Sequence, residues 1–110
     1  MSFYLWTGNY TQEAIKAMVK NPTDREAAAR QAVEAAGGKL HHMFVALGRK
    51  DLVLLAEFPD DVSAGSISMM TAAAGAVVNA ETTRLMTMAD FTKTLKKARA
   101  AAAKYKPPQG

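Results

Sequence analysis

A chain of 110 residues with 49% hydrophobic and 22% charged side chains has the composition of one globular domain, not of a disordered or fibrous protein. It contains no cysteine, which excludes disulfides, thiolate metal sites and a cysteine nucleophile. No apolar run approaches the roughly 18–20 residues that a membrane helix needs, and the N-terminus lacks the pattern of a signal peptide. We therefore expect a cytoplasmic protein with no membrane association.

The net charge of +4 is distributed unevenly along the chain. Six of the fourteen basic residues lie beyond residue 92, whereas residues 1–92 carry eight basic and ten acidic side chains. The basicity thus belongs to one terminal segment, where it is typical of the solvated face of a helix. Contact with a polyanion is the alternative, but Tyr105 is the only aromatic residue there that could stack on bases. We therefore expect no nucleic-acid partner.

The start of the chain predicts one strand followed by two helices. Phe3–Thr7 is rich in aromatic residues and is typical of a strand. Thr11 can cap the helix that follows. Thr23 and Glu26 then match a capping box, in which two side chains satisfy free backbone N–H groups at the start of a helix. This second helix ends at Gly37–Gly38, because glycine readily adopts the left-handed conformation that closes a helix.

The rest of the chain predicts a hairpin, a third helix, a fourth strand and a long final helix. The hairpin strands are Leu40–Leu47 and Leu52–Phe58, and the Val- and Thr-rich segment Val77–Met86 is the fourth strand. Pro59–Asp61 ends the third strand and caps the next helix. In the final helix, residues 88–106, apolar residues recur at alternating intervals of four and three. These residues are Phe91, Leu95, Ala98, Ala102 and Tyr105.

This order of elements, βα(α)ββαβ and a further helix, predicts an α+β fold of the ferredoxin-like type with one four-stranded antiparallel sheet. A single domain spans residues 1–106, including the C-terminal helix at 88–106 that Thr87 caps, and residues 107–110 form a frayed tail. Right-handed crossovers place the helices on one face of the sheet. The other face is left for solvent, for a ligand or for a second sheet.

A hairpin turn centred on Arg49–Lys50 would sort the strand residues onto two faces, because directly opposed residues point to the same side. In that register Leu47 opposes Leu52, and His42 opposes Glu57. The helix-facing set is then His41, Met43, Val45, Leu47, Leu52, Leu54, Ala56 and Phe58. The opposite set is Leu40, His42, Phe44, Ala46, Val53, Leu55 and Glu57.

The second set is also mostly apolar, and this predicts a partner. Left open, it would form a patch on the order of several hundred Å², which monomeric proteins generally avoid. Two such sheets packed face to face would hide it, as in a dimeric α/β barrel. We therefore expect a homodimer or a higher homo-oligomer through this face.

Four segments of the chain resemble the GYD-domain family, which consists of small bacterial proteins of the ferredoxin-like, dimeric α/β barrel type. The segments are Gly8–Thr11, Gly37–Lys39, Leu47–Asp51 and Glu57–Asp61. The resemblance covers residues 3–95 and leaves the basic part of the last helix outside it. In the family signature a glycine, any residue, a tyrosine and an aspartate follow one another, and here Lys50 takes the place of the tyrosine. The resemblance implies the fold and the assembly, and it supplies no catalytic residue.

His42 and Glu57 are the candidate catalytic residues, since a carboxylate that orients an imidazole prepares it for proton transfer. A polar cross-strand pair at a dimer interface is the simpler interpretation. His41 and His42 are neighbours in a strand, so they point to opposite faces and cannot hold the same ion; we predict no metal site. The nucleotide-binding and hydrolase motifs G-x-G-x-x-G, P-loop and G-x-S-x-G do not occur, and we expect no cofactor.

Aromatic residues extend this candidate site toward a ligand pocket. Tyr4, Trp6 and Phe44 can supply contact area for a small molecule beside His42 and Glu57, although packing in a core or an interface is the alternative. Two functions follow. The first is a homo-oligomeric small-molecule-binding or structural module with a cavity between facing sheets. The second, by analogy of fold, is a cofactor-independent monooxygenase or isomerase that acts on a small aromatic or reactive metabolite, with His42 as acid/base.

Overall fold

The computed structural model describes residues 1–109 and contains one antiparallel sheet with four helices. The elements are β1 (Ser2–Tyr10), α1 (Gln12–Lys20), α2 (Arg25–Ala35), β2 (Lys39–Val45), β3 (Leu52–Phe58), α3 (Asp61–Ala73), β4 (Val77–Leu85) and α4 (Met88–Ala102). The strand order β2-β3-β1-β4 puts β1 and β3 in the centre, as in a ferredoxin-like fold. The predicted α+β class and the four-stranded antiparallel sheet are confirmed.

The C-terminal end of the last helix differs slightly from expectation. The last helix ends at Ala102 and not at residue 106. Of the predicted tail, residues 107–109 lie in no helix or strand, and Gly110 lies outside the described residues. None of the helices within residues 1–109 combines the length and the apolar character of a membrane span.

Side-chain caps fix where the helices begin. Thr11, Asp60 and Thr87 accept hydrogen bonds from backbone N–H groups in the first turns of α1, α3 and α4, as predicted. The cap of α2 is Asp24 and not Thr23, because the carboxylate accepts two backbone N–H groups at 3.0 and 3.2 Å. A negative charge at this position also interacts favourably with the helix dipole, which favours the aspartate over the neighbouring hydroxyl.

The core lies between the sheet and helices α2 and α3. Buried residues alternate along the central strands, so one face of the sheet packs against these helices. The buried residues are Tyr4, Trp6, Val33, Leu40, Leu52, Leu54, Ala56, Phe58, Ala64, Ile67 and Val77. Helix α1 contributes no buried residue.

The hairpin between β2 and β3 has a different register from the predicted one. Its loop runs from Ala46 to Asp51 and is closed by a hydrogen bond from the Ala46 N–H to the Asp51 carbonyl at 2.7 Å. Consequently Val45, and not Leu47, opposes Leu52. The prediction was wrong because it assumed a turn centred on Arg49–Lys50, whereas a longer loop removes two residues from the end of β2.

A β-bulge at His41 reverses the two faces at the start of β2. Leu40 pairs with Ala56 and His42 pairs with Leu55, so His41 is an extra residue without an opposed partner. One extra residue breaks the alternation of side chains. Leu40 is therefore buried on the helix-facing side and His41 joins the other side, the reverse of the prediction.

Helix α4 projects from the body of the protein. All of its fifteen residues are exposed, and the molecule measures 61 × 34 × 23 Å along its principal axes. The radius of gyration is 18.2 Å. A compact chain of this length would have about 13 Å. Within residues 1–109, nothing in the same chain covers the apolar stripe of α4.

Candidate functional site

The candidate site is the face of the sheet that points away from the helices, which we term the outer face. It is made of alternate residues from the four strands. These residues are Phe3, Leu5, Thr7, His42, Phe44, Val53, Leu55, Glu57, Glu81, Thr83 and Leu85. No helix lies over them, and Phe44 is 64% exposed. Apolar side chains occupy the middle of the outer face, and ionisable ones lie toward its margins.

Three side chains meet where β1 begins, at one end of the outer face. The Nε2 atom of His41 lies 2.7 Å from Oε1 of Glu57. The ring of Phe3 lies 5.5 Å from the His41 ring, centroid to centroid. The His41 and Glu57 side chains are still 25% and 23% exposed. A carboxylate in this position orients the imidazole ring, and an oriented imidazole can exchange a proton with a bound molecule.

The structure brings together only part of the predicted site. Glu57, His42 and Phe44 lie on the outer face, as predicted. The pairing of His42 with Glu57 is wrong, because the bulge places His41 beside the carboxylate. The His42 ring instead stacks on Phe44, with centroids 6.2 Å apart and planes 16° apart. The sequence pattern does not indicate His41 as a candidate site residue, because no residue in its neighbourhood marks the bulge.

Tyr4 and Trp6 lie on the helix-facing side of the sheet and do not share a face with His42. The Tyr4 hydroxyl donates to Oδ1 of Asp61 at 2.5 Å, and the Trp6 indole N–H donates to Oγ of Ser68 at 2.8 Å. Both contacts fasten α3 to β1. The five predicted site residues therefore do not line one pocket, because adjacent positions in a strand point to opposite sides.

The hydrogen bond between Tyr4 and Asp61 makes stability depend on pH in the alkaline range. The carboxylate accepts the phenol proton and raises the pKa of Tyr4 above 10.0, as burial also does. Since the folded-state pKa is the higher one, this contribution is complete below pH 10 and is lost as the pH rises through the raised pKa. We expect Tyr4→Phe to lose about 1 kcal/mol at neutral pH and to show a flatter decline in melting temperature above pH 10. Parallel melting profiles of the two proteins would contradict this.

The hairpin loop is attached to β1 at the opposite end of the sheet. The Asn9 side-chain amide donates to the Arg49 carbonyl at 2.7 Å, and the Tyr10 N–H donates to Oδ2 of Asp51 at 3.1 Å. These contacts give Asp51, the aspartate of the signature turn, a structural role as acceptor for the β1 backbone.

Lys50, which replaces the tyrosine of the signature, extends this attachment to β4. Its Nζ atom donates to the Asn79 carbonyl at 2.5 Å and lies 3.6 Å from Oε1 of Glu81. Asn79 has φ of 56° and is the one non-glycine residue with positive φ in the described part of the chain. It lies where the pairing of β1 with β4 shifts register. The ammonium group therefore supports an irregular stretch of an edge strand.

Replacing Lys50 by methionine should loosen this edge of the sheet. Lys50→Met keeps most of the aliphatic side chain but removes the donor, so we expect a loss of about 1 kcal/mol in the free energy of unfolding. Lys93→Met is the matched control, because its contact with Asp90 at 3.9 Å is highly exposed. Urea denaturation followed by circular dichroism measures both variants. Equal stability of the two variants would show that the Lys50 contact contributes nothing.

Among residues 1–109, no group of three or more His, Asp or Glu side chains is placed to hold a metal ion.

The comparisons with known proteins bear on the whole domain. The family model described as the GYD domain matches residues 4–95. The match includes the hairpin loop and all of the outer face except Phe3, and it stops within α4. A comparison with curated proteins returns no match.

Proposed function

The chain belongs to the GYD-domain family, and on that premise we propose that it works as a homo-oligomeric module whose outer faces pair sheet to sheet. The paired faces would enclose a small, largely apolar space that binds a small molecule or has a structural role. The observation that carries the proposal is the apolar centre of the outer face, which no helix of the chain covers. The family's dimeric α/β barrel type supports the same arrangement. The cysteine-free composition suits a reducing compartment such as the cytoplasm.

The dimensions of the sheet indicate how much of the interface the outer face can provide. Four strands about 4.8 Å apart, with seven to nine residues each, cover roughly 19 by 26 Å, on the order of 500 Å². A stable interface buries about 800 Å² on each partner. The outer face alone therefore supplies about 60% of the area, and a second surface must contribute.

Helix α4 supplies that second surface in the proposed assembly. It is about 22 Å long, and its apolar stripe includes Phe91 and Leu95, which are 43% and 53% exposed. A helix of this length is marginally stable in water without packing, so its stripe needs a covering surface. The segment that includes α4 is basic, whereas residues 1–92 are slightly acidic. The α4 segment of one chain is therefore attracted to residues 1–92 of another, which favours a second copy as the partner.

A charge within the α4 stripe should weaken the oligomer. We expect Leu95→Glu to raise the dissociation constant at least tenfold, because the charge would have to be buried against the partner. Ala100→Glu introduces the same charge on the opposite side of the same helix and should leave the constant nearly unchanged. Sedimentation equilibrium measures both. Equal dissociation constants for the two variants would remove α4 from the interface.

The His41–Glu57 pair favours one further function, that of an enzyme. A histidine and a carboxylate 2.7 Å apart at the margin of an enclosed apolar space can act as acid/base and orienting group. The candidate is a cofactor-independent monooxygenase or isomerase acting on a small aromatic or reactive metabolite. In this proposal His41 and not His42 is the acid/base, because His41 is the histidine that lies beside Glu57.

Two histidine variants test the enzyme proposal in a screen of small aromatic metabolites. His41→Gln should abolish turnover of any substrate found, and His42→Gln, on the same strand, should keep it within a few-fold. The reverse pattern would assign the acid/base role to His42. Turnover that survives in both variants would refute catalysis by this pair.

The mass in solution tests the proposed assembly. Light scattering at micromolar concentration should give at least twice the chain mass of 11.8 kDa. A particle of one chain mass at tens of micromolar would refute the homo-oligomer.

A further inference from the structure

A cavity lies on the helix-facing side of the sheet, away from the outer face. It has a volume of about 280 Å³ and lies between α2 and α3. Trp6, Leu52 and Leu54 line it from the sheet. The cavity is independent of the proposed pairing of outer faces, since the sheet separates the two.

The residues of the two helices explain why this space is not filled. Helix α2 presents Ala28, Ala29 and Ala32 to it, and these short side chains do not reach across to α3. The space is a partly open cleft, and most of the residues that line it are apolar. An apolar cavity of roughly 150 Å³ accommodates benzene, so a cavity about twice as large accommodates roughly twelve non-hydrogen atoms.

One basic residue stands at the mouth of this cavity. Arg25 is exposed, and it is the only charged residue among those that line the cavity. Within residues 1–109 its guanidinium group forms no ion pair, and the hydroxyl group of Tyr10, also in the lining, makes no hydrogen bond. A guanidinium group binds a carboxylate through two parallel hydrogen bonds, and a phenol can add a third.

We propose that this cavity binds an apolar monocarboxylate of about the size of decanoate, with its chain between α2 and α3 and its carboxylate at Arg25. The apolar lining provides the affinity and the single cation selects an acid over a neutral or basic molecule of the same length. This goes beyond the proposed assembly and does not depend on it.

The chain contains its own reporter for this binding, because its only tryptophan, Trp6, lines the cavity. Titration with decanoate should give a saturable change in tryptophan fluorescence with a dissociation constant below about 1 mM. Decanol and decylamine, of equal chain length, should bind at least tenfold more weakly. No saturable change, or equal binding of the three probes, would overturn the proposal.

Substitutions of residues that line the cavity test whether decanoate binds there. Arg25→Gln should weaken decanoate binding about tenfold and leave decanol unaffected, whereas Lys20→Gln, with the same change in charge, should bind as the wild type does. Ala29→Leu should fill the cavity and abolish binding in a protein whose circular dichroism and melting temperature show it to be folded. Unchanged decanoate binding in a folded Ala29→Leu variant, or in Arg25→Gln, would overturn the proposed site.

The same assay distinguishes the proposed decanoate cavity from the proposed pairing of the outer faces. A Leu55→Lys variant, altered on the outer face, should bind decanoate as the wild type does. Loss of binding in this variant would place the probe between paired sheets and overturn the cavity proposal.

Discussion

Leu55→Lys is expected to convert the oligomer into a monomer. Leu55 pairs with Leu5 across the two central strands, so it lies in the middle of the outer face. In a two-fold assembly the substitution would bury two unpaired ammonium groups close to each other. Burying an unpaired charge costs about 3–5 kcal/mol, which raises a dissociation constant by more than a hundredfold.

Val62→Lys is the matched control for this prediction. Val62 is an apolar residue of α3 on the other side of the sheet and is 83% exposed, so the same side chain there meets only solvent. Analytical ultracentrifugation should give a single chain mass for Leu55→Lys and the wild-type mass for Val62→Lys. An undiminished mass for Leu55→Lys would exclude the outer face as the interface.

Gly38→Ala is expected to be the most destabilising alanine substitution at any glycine within residues 1–109. A Cβ atom at this position would lie 2.5 Å from the Glu57 carbonyl oxygen and 2.6 Å from Cδ1 of Phe58. The first is backbone of a central strand and the second belongs to a buried ring, so a shift of either one is costly. We expect a loss of about 2–4 kcal/mol in the free energy of unfolding. The shift of Glu57 should also disturb its contact with His41.

Gly65→Ala serves as the opposite control. Gly65 lies inside α3, where an added Cβ would meet no atom within 4 Å. Alanine stabilises a helix interior relative to glycine by about 0.5–1 kcal/mol, so this variant should gain stability. Urea denaturation compares both with the wild type. A neutral Gly38→Ala would show that the chain just before β2 does not approach β3 as closely as described.

The sequence predicted the elements well where local chemistry determines them. Leu52–Phe58 is a strand with the predicted bounds, because buried and half-buried residues alternate along its whole length. Thr11 and Thr87 cap helices at the predicted positions. A hydroxyl side chain just before a segment with helical spacing of apolar residues is a local signal for the start of a helix. Together these signals were sufficient for the order of elements and hence for the fold.

The candidate site was harder to predict because it depends on register. His41 and His42 are chemically identical, and one bulged residue decides which of them meets Glu57. The cavity beside Trp6 depends on how far α2 stays from α3, which is a property of packing between distant segments. Helix α2 presents alanines to α3, and the structure leaves a space between the two helices.

The absence of cysteine from the chain allows the most direct test of the paired outer faces. One introduced cysteine carries one spin label, so any dipolar coupling arises between copies of the chain. Thr83→Cys places the label on the outer face, opposite Leu5, and Ser66→Cys places it on α3.

Sheets that pack face to face lie about 10 Å apart, so labels at Thr83→Cys should give a distance peak below about 30 Å. Labels at Ser66→Cys should be farther apart than those at Thr83→Cys. A Thr83→Cys sample without coupling between chains, or with longer distances than Ser66→Cys, would contradict the pairing of the outer faces.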